Sequence, residues 1–151
     1  MRRQFPQFFQ RARRLNIAGG VYEAYGNMFF LRNPDKEAVK ISRNFSKEQR
    51  AELKHKWLMA AAKGTVLVSP FISPAEREIR TEAEALGANI ILLVHEAFGE
   101  RYKPARHDFE LCTQGRLLII SYGLPQGSEL TRPVCLQMNA LAQSLSASEK
   151  V

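Results

Sequence analysis

Cysteine is scarce in this sequence of 151 residues, which contains Cys112 and Cys135 and no Cys-x-x-Cys pair. That scarcity argues against a fold held by disulfides and against a zinc site built on cysteines. A chain of this length buries roughly two-thirds of its unfolded surface, so it needs neither device. We expect two buried thiols in a reduced, cytoplasmic protein with no metal and no cofactor.

Long apolar runs are also missing. No run approaches the roughly 18 apolar residues of a membrane-spanning helix. No apolar segment follows the basic start Met1-Arg2-Arg3-Gln4. We therefore expect no membrane contact and no signal peptide.

Glycine is absent where a nucleotide-binding loop would need it. An apolar run is followed by residues 69–74, Ser-Pro-Phe-Ile-Ser-Pro, which hold two prolines and no glycine. A phosphate cradle relies on glycines that let backbone N–H groups approach the anion, and proline removes such donors. We expect no dinucleotide cradle at this junction.

Positive charge is in excess and unevenly placed. Lysine and arginine number 22 against 15 acidic residues, a formal net charge of +7. Residues 1–63 hold 14 basic and 5 acidic residues, a balance of +9, whereas residues 64–151 hold 8 and 10, a balance of −2. This asymmetry favours a polyanionic partner that contacts the N-terminal half. A solvated basic face is the alternative.

Short apolar runs alternate with helical segments from residue 38 onward. Strands are predicted over residues 38–42, 65–69, 89–94 and 117–122, and helices over 46–63, 73–86, 105–113 and 130–145. This alternation is typical of parallel strands joined by crossover helices. The predicted fold class is α/β, a three-layer Rossmann-like parallel sheet of about four or five strands.

The chain is predicted to form a single domain. Residues 1–28 are predicted to be a basic N-terminal helix and a linker, residues 29–145 the α/β core, and residues 146–151 a tail. Apolar residues recur at helical spacing between Phe5 and Leu15, among basic residues. Docking of this helix on its own domain or on a second copy is favoured over a membrane or RNA.

Polar residues follow the first predicted strand, at the edge where open parallel sheets bind ligands. Ser42, Arg43 and Asn44 supply a hydroxyl, a guanidinium and an amide there. A helix that begins near Ser46 would direct free N–H groups to the same place, and Arg132 follows the fourth strand at the same edge. We predict phosphate contacts here. The alternative is that Ser42 and Asn44 cap a turn and Arg43 is solvated.

Two further segments hold candidate residues. Tyr102 and Lys103 follow the third strand and suit a base or ribose with its phosphate, through stacking and charge. Tyr102 packing the loop down is the equal alternative. Glu76 is expected to complete a helix capping box, and Arg80 to pair with Glu76 or with Glu84.

The order of these pieces resembles the Rossmann-like core of the DNA processing protein A (DprA/Smf) family. That core has strands ending in Gly-Ser-Arg and Val-Ser-Gly, a helix with Gly-x-Asp-x-x-x-His, a Tyr-Pro loop and a Gly-Leu-Leu-Ser-Glu strand. The resemblance spans about residues 29–142. Its counterparts here are Ile41-Ser42-Arg43, Val68-Ser69-Pro70, Pro74-Ala75-Glu76 with Arg80, Tyr102-Lys103-Pro104, and Gly115 with Leu117-Leu118 to Ser121.

Several family motifs are altered. The glycine before Ser-Arg is Ile41, the Gly-x-Asp is Pro74-x-Glu76, and the histidine is Arg80. The Phe-Pro-x-Arg-Asn-Arg segment corresponds loosely to residues 130–133, and the next family strand and Gly-Ser-Leu-Ile-Thr-Ala helix have no counterpart. The related LOG-type nucleoside-monophosphate hydrolases carry a Pro-Gly-Gly-x-Gly-Thr signature that this sequence lacks.

The resemblance implies non-catalytic binding of single-stranded DNA or a nucleotide, and self-association as a homodimer. Together with the edge residues, it predicts contacts from Ser42, Arg43, Asn44, Ser69, Arg80, Tyr102, Lys103 and Arg132. One alternative is a small LOG-like enzyme acting on a nucleoside phosphate, with Glu76 or Glu96 as acid or base. The other is a structural or assembly module whose basic face is incidental.

Overall fold

A computed structural model describes residues 12–17 and 19–148. The strands in this range are β1 (Ala12–Ile17), β2 (Gly20–Gly26), β3 (Lys36–Ala38), β4 (Val66–Ser69), β5 (Asn89–Glu96) and β6 (Leu117–Leu124). The helices are α1 (Lys47–Ala62), α2 (Pro74–Ala85), α3 (Arg106–Thr113) and α4 (Arg132–Ser148), with a short 3-10 helix at Met28–Arg32.

The strands form one mixed sheet in the order β1-β2-β6-β5-β4-β3. Strands β3 to β6 are parallel neighbours in chain order, whereas β2 pairs antiparallel with β6 and β1 antiparallel with β2. The predicted three-layer α/β fold is confirmed. The sheet has six strands rather than four or five, because an N-terminal hairpin extends it beyond β6.

That hairpin corrects the prediction for the N-terminal segment. Residues 12–15 belong to β1 and not to a helix, and β2 lies inside the sheet, so the core begins well before residue 29. Leu15 pairs with Tyr22, and both side chains pack on the α4 side of the sheet. The free edge of β6 offers backbone partners that helical spacing in the sequence does not reveal. The rest of the predicted helix, residues 1–11, lies outside the described residues.

The sheet is covered on both faces. Helices α1, α2 and α3 lie on one face, where Trp57, Ile79 and Leu111 pack against β4, β5 and β6. Helix α4 covers the other face through Met138 and Leu145, and it continues to Ser148, beyond the predicted end of the core. Because β4 to β6 are buried on both sides, their sequences are nearly continuous apolar runs.

The chain order of the parallel strands decides where a ligand can bind. In doubly wound sheets the ligand crevice opens where the strand order reverses. Strands β3, β4, β5 and β6 follow one another without a reversal. Any site at their carboxyl ends must therefore be built from loops and helix starts. No helix within residues 12–17 and 19–148 has the length and apolar character to cross a membrane.

Candidate nucleic-acid interface

A basic groove lies between the first turns of α1 and α2, with a volume of about 450 Å³. Ile41 and Ile79 form part of its apolar floor. Lys47, Arg50 and Lys54 form a row of cations along its α1 wall. Their spacing of three and four residues places these cations on one face of the helix.

The cations of this groove differ in their partners. Lys54 Nζ lies 2.7 Å from a carboxylate oxygen of Glu78 and also contacts Glu82; the hydrogen bonds to these two carboxylates raise the Lys54 pKa. Lys47 has no ion pair with any residue that the structure describes, and Arg50 makes a 3.5 Å contact with the carbonyl of Arg43. Two positive charges therefore stand uncompensated beside the apolar floor.

Residues Ser42, Arg43 and Asn44 lie next to this groove, between its floor residue Ile41 and the start of α1. Ser42 Oγ accepts a hydrogen bond from the N–H of Asn44 at 3.2 Å, so Ser42 caps its own turn. Arg43 is exposed and has no carboxylate partner in the described part of the chain. The Arg43 side chain is therefore accessible to a phosphate. Arg50 places a second guanidinium next to the Arg43 backbone.

The helix starts near the groove are closed by their own side chains. At α1, Gln49 N–H donates to Ser46 Oγ at 3.0 Å, and Ser46 N–H donates to Gln49 Oε1 at 2.7 Å. At α2, Ser73 and Glu76 form the same reciprocal pair, which confirms the capping box predicted for Glu76. The capping box uses the N–H groups of Ser46 and Gln49, so the expectation that α1 presents free N–H groups to a phosphate is narrowed to those of Lys47 and Glu48.

Glu76 is a structural residue. Its side chain is 5% exposed, and its Oε2 accepts a hydrogen bond from the N–H of Ile41 at 2.8 Å. Its Oε1 accepts from the N–H groups of Ile72 at 3.1 Å and Ser73 at 3.3 Å. The candidate role of Glu76 as an acid or base is therefore wrong in this geometry, because the residue is buried and both oxygens already accept hydrogen bonds from backbone N–H groups.

Ser69 and Arg80 do not make the predicted ligand contacts available, because both side chains are already bonded within the protein. Ser69 is fully buried, and its Oγ accepts from the N–H of Phe71 at 2.9 Å. Arg80 Nε lies 2.6 Å from Glu84, as predicted, and Arg80 Nη2 lies 2.5 Å from Asp108 on α3. The second partner comes from a distant element, so the sequence spacing did not reveal that the guanidinium is occupied.

The loop after β5 is packed by its aromatic residues. The Tyr102 ring stacks on Phe98 with centroids 3.8 Å apart, and it meets Tyr25 edge-on at 5.4 Å. Burial among these groups raises the pKa of the Tyr102 hydroxyl. Lys103 Nζ lies 4.4 Å from the centroid of the Phe109 ring. Of the two roles considered for Tyr102, binding a base and packing the loop, the structure shows the packing role.

Two predicted residues lie away from the basic groove. Arg132 is exposed at the start of α4, in the layer on the opposite face of the sheet from α1 and α2. Glu96 ends β5, and its Oε2 accepts from the N–H of Gly127 at 2.5 Å. Glu96 lines a second groove between the loops that follow β5 and β6.

Sequence reasoning missed Lys47 and Arg50 as site residues. Their signal was present, because basic residues at positions 47, 50 and 54 recur at helical spacing directly after Arg43. The distance in sequence between Ile41 and α2 concealed that the two helix starts enclose a groove.

No family model, curated protein or solved structure matches this chain. The described ranges also contain no group of three or more His, Cys, Asp or Glu side chains placed to hold a metal ion. The assignment of function therefore depends on the geometry of the grooves and on the motif resemblance.

Proposed function

We propose that this protein binds single-stranded nucleic acid without catalysis, in the manner that its resemblance to the DNA processing protein A family implies. The observation that carries the proposal is the groove between α1 and α2. There Lys47 and Arg50 stand beside Arg43, with no carboxylate partner among the described residues. Positive side chains along a groove are the usual means of holding a nucleic-acid backbone.

The form of the groove favours a strand over a free mononucleotide. A mononucleotide site in this fold class holds the phosphate on backbone N–H groups at a glycine-rich helix start. Here the starts of α1 and α2 are capped by Ser46 and Ser73, and the junction after β4 holds prolines instead of glycines. Recognition falls to flexible cationic side chains, which contact phosphates of any sequence.

The proposal places the protein in the cytoplasm. Its two cysteines are free thiols, Cys112 being buried and Cys135 partly exposed. Unpaired thiols of this kind are usual where the compartment is reducing.

Salt dependence is the direct measure of such binding. Each phosphate neutralised on a single strand contributes about −0.7 to the slope of log K against log salt. Contacts from Arg43, Lys47 and Arg50 therefore give a slope of about −2. Affinity should fall roughly twentyfold between 50 and 200 mM salt.

The test is fluorescence anisotropy of a labelled single-stranded oligonucleotide with the wild type, Arg43→Ala and Arg50→Ala at both salt concentrations. Each variant should weaken binding severalfold and make the slope shallower by about 0.7, because one phosphate contact is lost. Lys63→Ala is the matched control, since Lys63 is an exposed cation at the far end of α1. Salt-independent binding, or an equal loss in Lys63→Ala, would contradict the proposal.

A further inference from the structure

A second groove opens at the carboxyl ends of the two central strands, β5 and β6. Its volume is about 310 Å³, and its main lining residues are Val94, Glu96, Phe98, Tyr102 and Gln126. This size is at the small end of ligand pockets and suits a single flat ring better than a whole nucleotide. The lining contains no lysine or arginine, so it is not a phosphate site.

One wall of this groove is aromatic and held in place. The Phe98 and Tyr102 rings are nearly parallel, with an interplanar angle of 11°, and the buried Tyr25 ring abuts Tyr102. The N–H of Phe98 donates to Glu23 Oε1 at 3.3 Å, which ties the loop to β2. Single-strand binding proteins commonly hold bases by stacking them on aromatic side chains of this kind.

Two other lining residues of the groove, Glu96 and Gln126, are polar and carry hydrogen-bond acceptors. Glu96 Oε2 accepts from the N–H of Gly127, whereas its Oε1 has no hydrogen-bond partner among the residues described. Gln126 Nε2 makes a long 3.4 Å contact with the carbonyl of Ala97, and no residue in the described ranges donates to the Gln126 amide oxygen. Carboxylate and amide oxygens are the groups that accept hydrogen bonds from the exocyclic amines of bases.

We propose that this groove is a nucleobase pocket that prefers bases carrying an exocyclic amine. The base stacks on the Phe98 ring, which Tyr102 supports from its other face, and the amine donates to Glu96 Oε1. The inference rests on the proposed function, because the base arrives as part of a bound strand. Both grooves lie at the carboxyl edge of the sheet, and neighbouring strands are about 4.8 Å apart, so a short single strand can reach from one groove to the other.

The test compares labelled oligo-dC with oligo-dT of equal length at one moderate salt concentration. Thymine carries a carbonyl oxygen where cytosine carries the exocyclic amine, so the comparison tests the contact of that amine with Glu96. The wild type should bind oligo-dC at least about fivefold more tightly, the lower range for one specific base contact. Glu96→Gln should reduce the affinity for oligo-dC towards that for oligo-dT.

Two further variants keep the test decisive. Gly99→Ala would place a Cβ 2.6 Å from Gln126 Nε2 and displace that flexible side chain, so it should also lower the preference. Arg43→Ala should weaken both oligonucleotides and keep their ratio. Equal wild-type affinities, or a preference that survives Glu96→Gln, would overturn the pocket while the proposed function stands. No wild-type binding to either oligonucleotide would overturn both.

Discussion

Glu76 Oε2 accepts a hydrogen bond from the backbone N–H of Ile41 at 2.8 Å, although the two residues are 35 positions apart in the chain. The other oxygen of the same carboxylate accepts from the start of α2, at Ile72 and Ser73. One buried side chain therefore joins the loop that carries Arg43 to the helix on the other side of the basic groove. The shape of the groove depends on this connection.

Glu76→Gln should destabilise the fold by about 1–3 kcal/mol. The amide keeps the size of the side chain, but its NH2 group faces a backbone N–H donor, which leaves a buried donor unsatisfied. Urea unfolding followed by circular dichroism measures the loss. Glu78→Gln is the matched control, because Glu78 lies on the same helix in an exposed ion pair and should change stability by less than about 1 kcal/mol. Equal stability of the two variants would contradict the structural role of Glu76.

Local signals in the sequence predicted much of the fold. The apolar runs of β4, β5 and β6 indicated buried parallel strands, and the capping boxes at Ser46 and Ser73 fixed two helix starts. These features depend on residues within a few positions of one another, so propensity and hydrogen-bonding rules describe them directly.

Local rules did not predict the contacts between segments that are distant in the sequence. The pairing of β2 with β6 joins residues such as Tyr25 and Ile119, and the Arg80–Asp108 ion pair joins two helices. Both contacts depend on how the elements pack. For the same reason the basic groove was not predicted: its cations on α1 were visible in the sequence, but the packing of α2 beside them was not.

Gly26→Ala should be far more destabilising than Gly64→Ala. Both glycines have positive φ angles, +119° and +102°, so an alanine at either position costs about 1–2 kcal/mol. At Gly26, on β2, a Cβ would also overlap the backbone carbonyl oxygen of Leu117, whereas the surroundings of Gly64 are open. The overlap should add about 1–3 kcal/mol. Thermal unfolding of the two variants measures the difference, and equal losses would disprove the close approach of β2 to β6.

Burial of Cys112 should make the protein sensitive to alkaline pH. The thiol is fully buried, and burial, with a smaller contribution from Asp108, raises its pKa from 9.0 to about 12. The folded state therefore keeps a proton that the unfolded state loses above pH 9. Stability is fully present below that pH and falls as the pH rises towards 12. One such group lowers the unfolding free energy by about 1.4 kcal/mol between roughly pH 8 and pH 10.

Cys112 accounts for most of the decline expected up to pH 10. Burial raises the pKa of Tyr25 from 10.0 to about 12, and the shift at Tyr102 starts from the same value, so each tyrosine contributes little below pH 9 and about 0.4 kcal/mol at pH 10. Urea unfolding at pH 8, 9 and 10 should thus show a decline that Cys112→Ala reduces by more than half, despite a lower stability at every pH. In the native protein a thiol reagent should label Cys135 and leave Cys112 unmodified, because Cys135 is partly exposed. Rapid labelling of Cys112, or an unchanged decline in Cys112→Ala, would mean that the thiol is accessible and that α3 does not seal this side of the core.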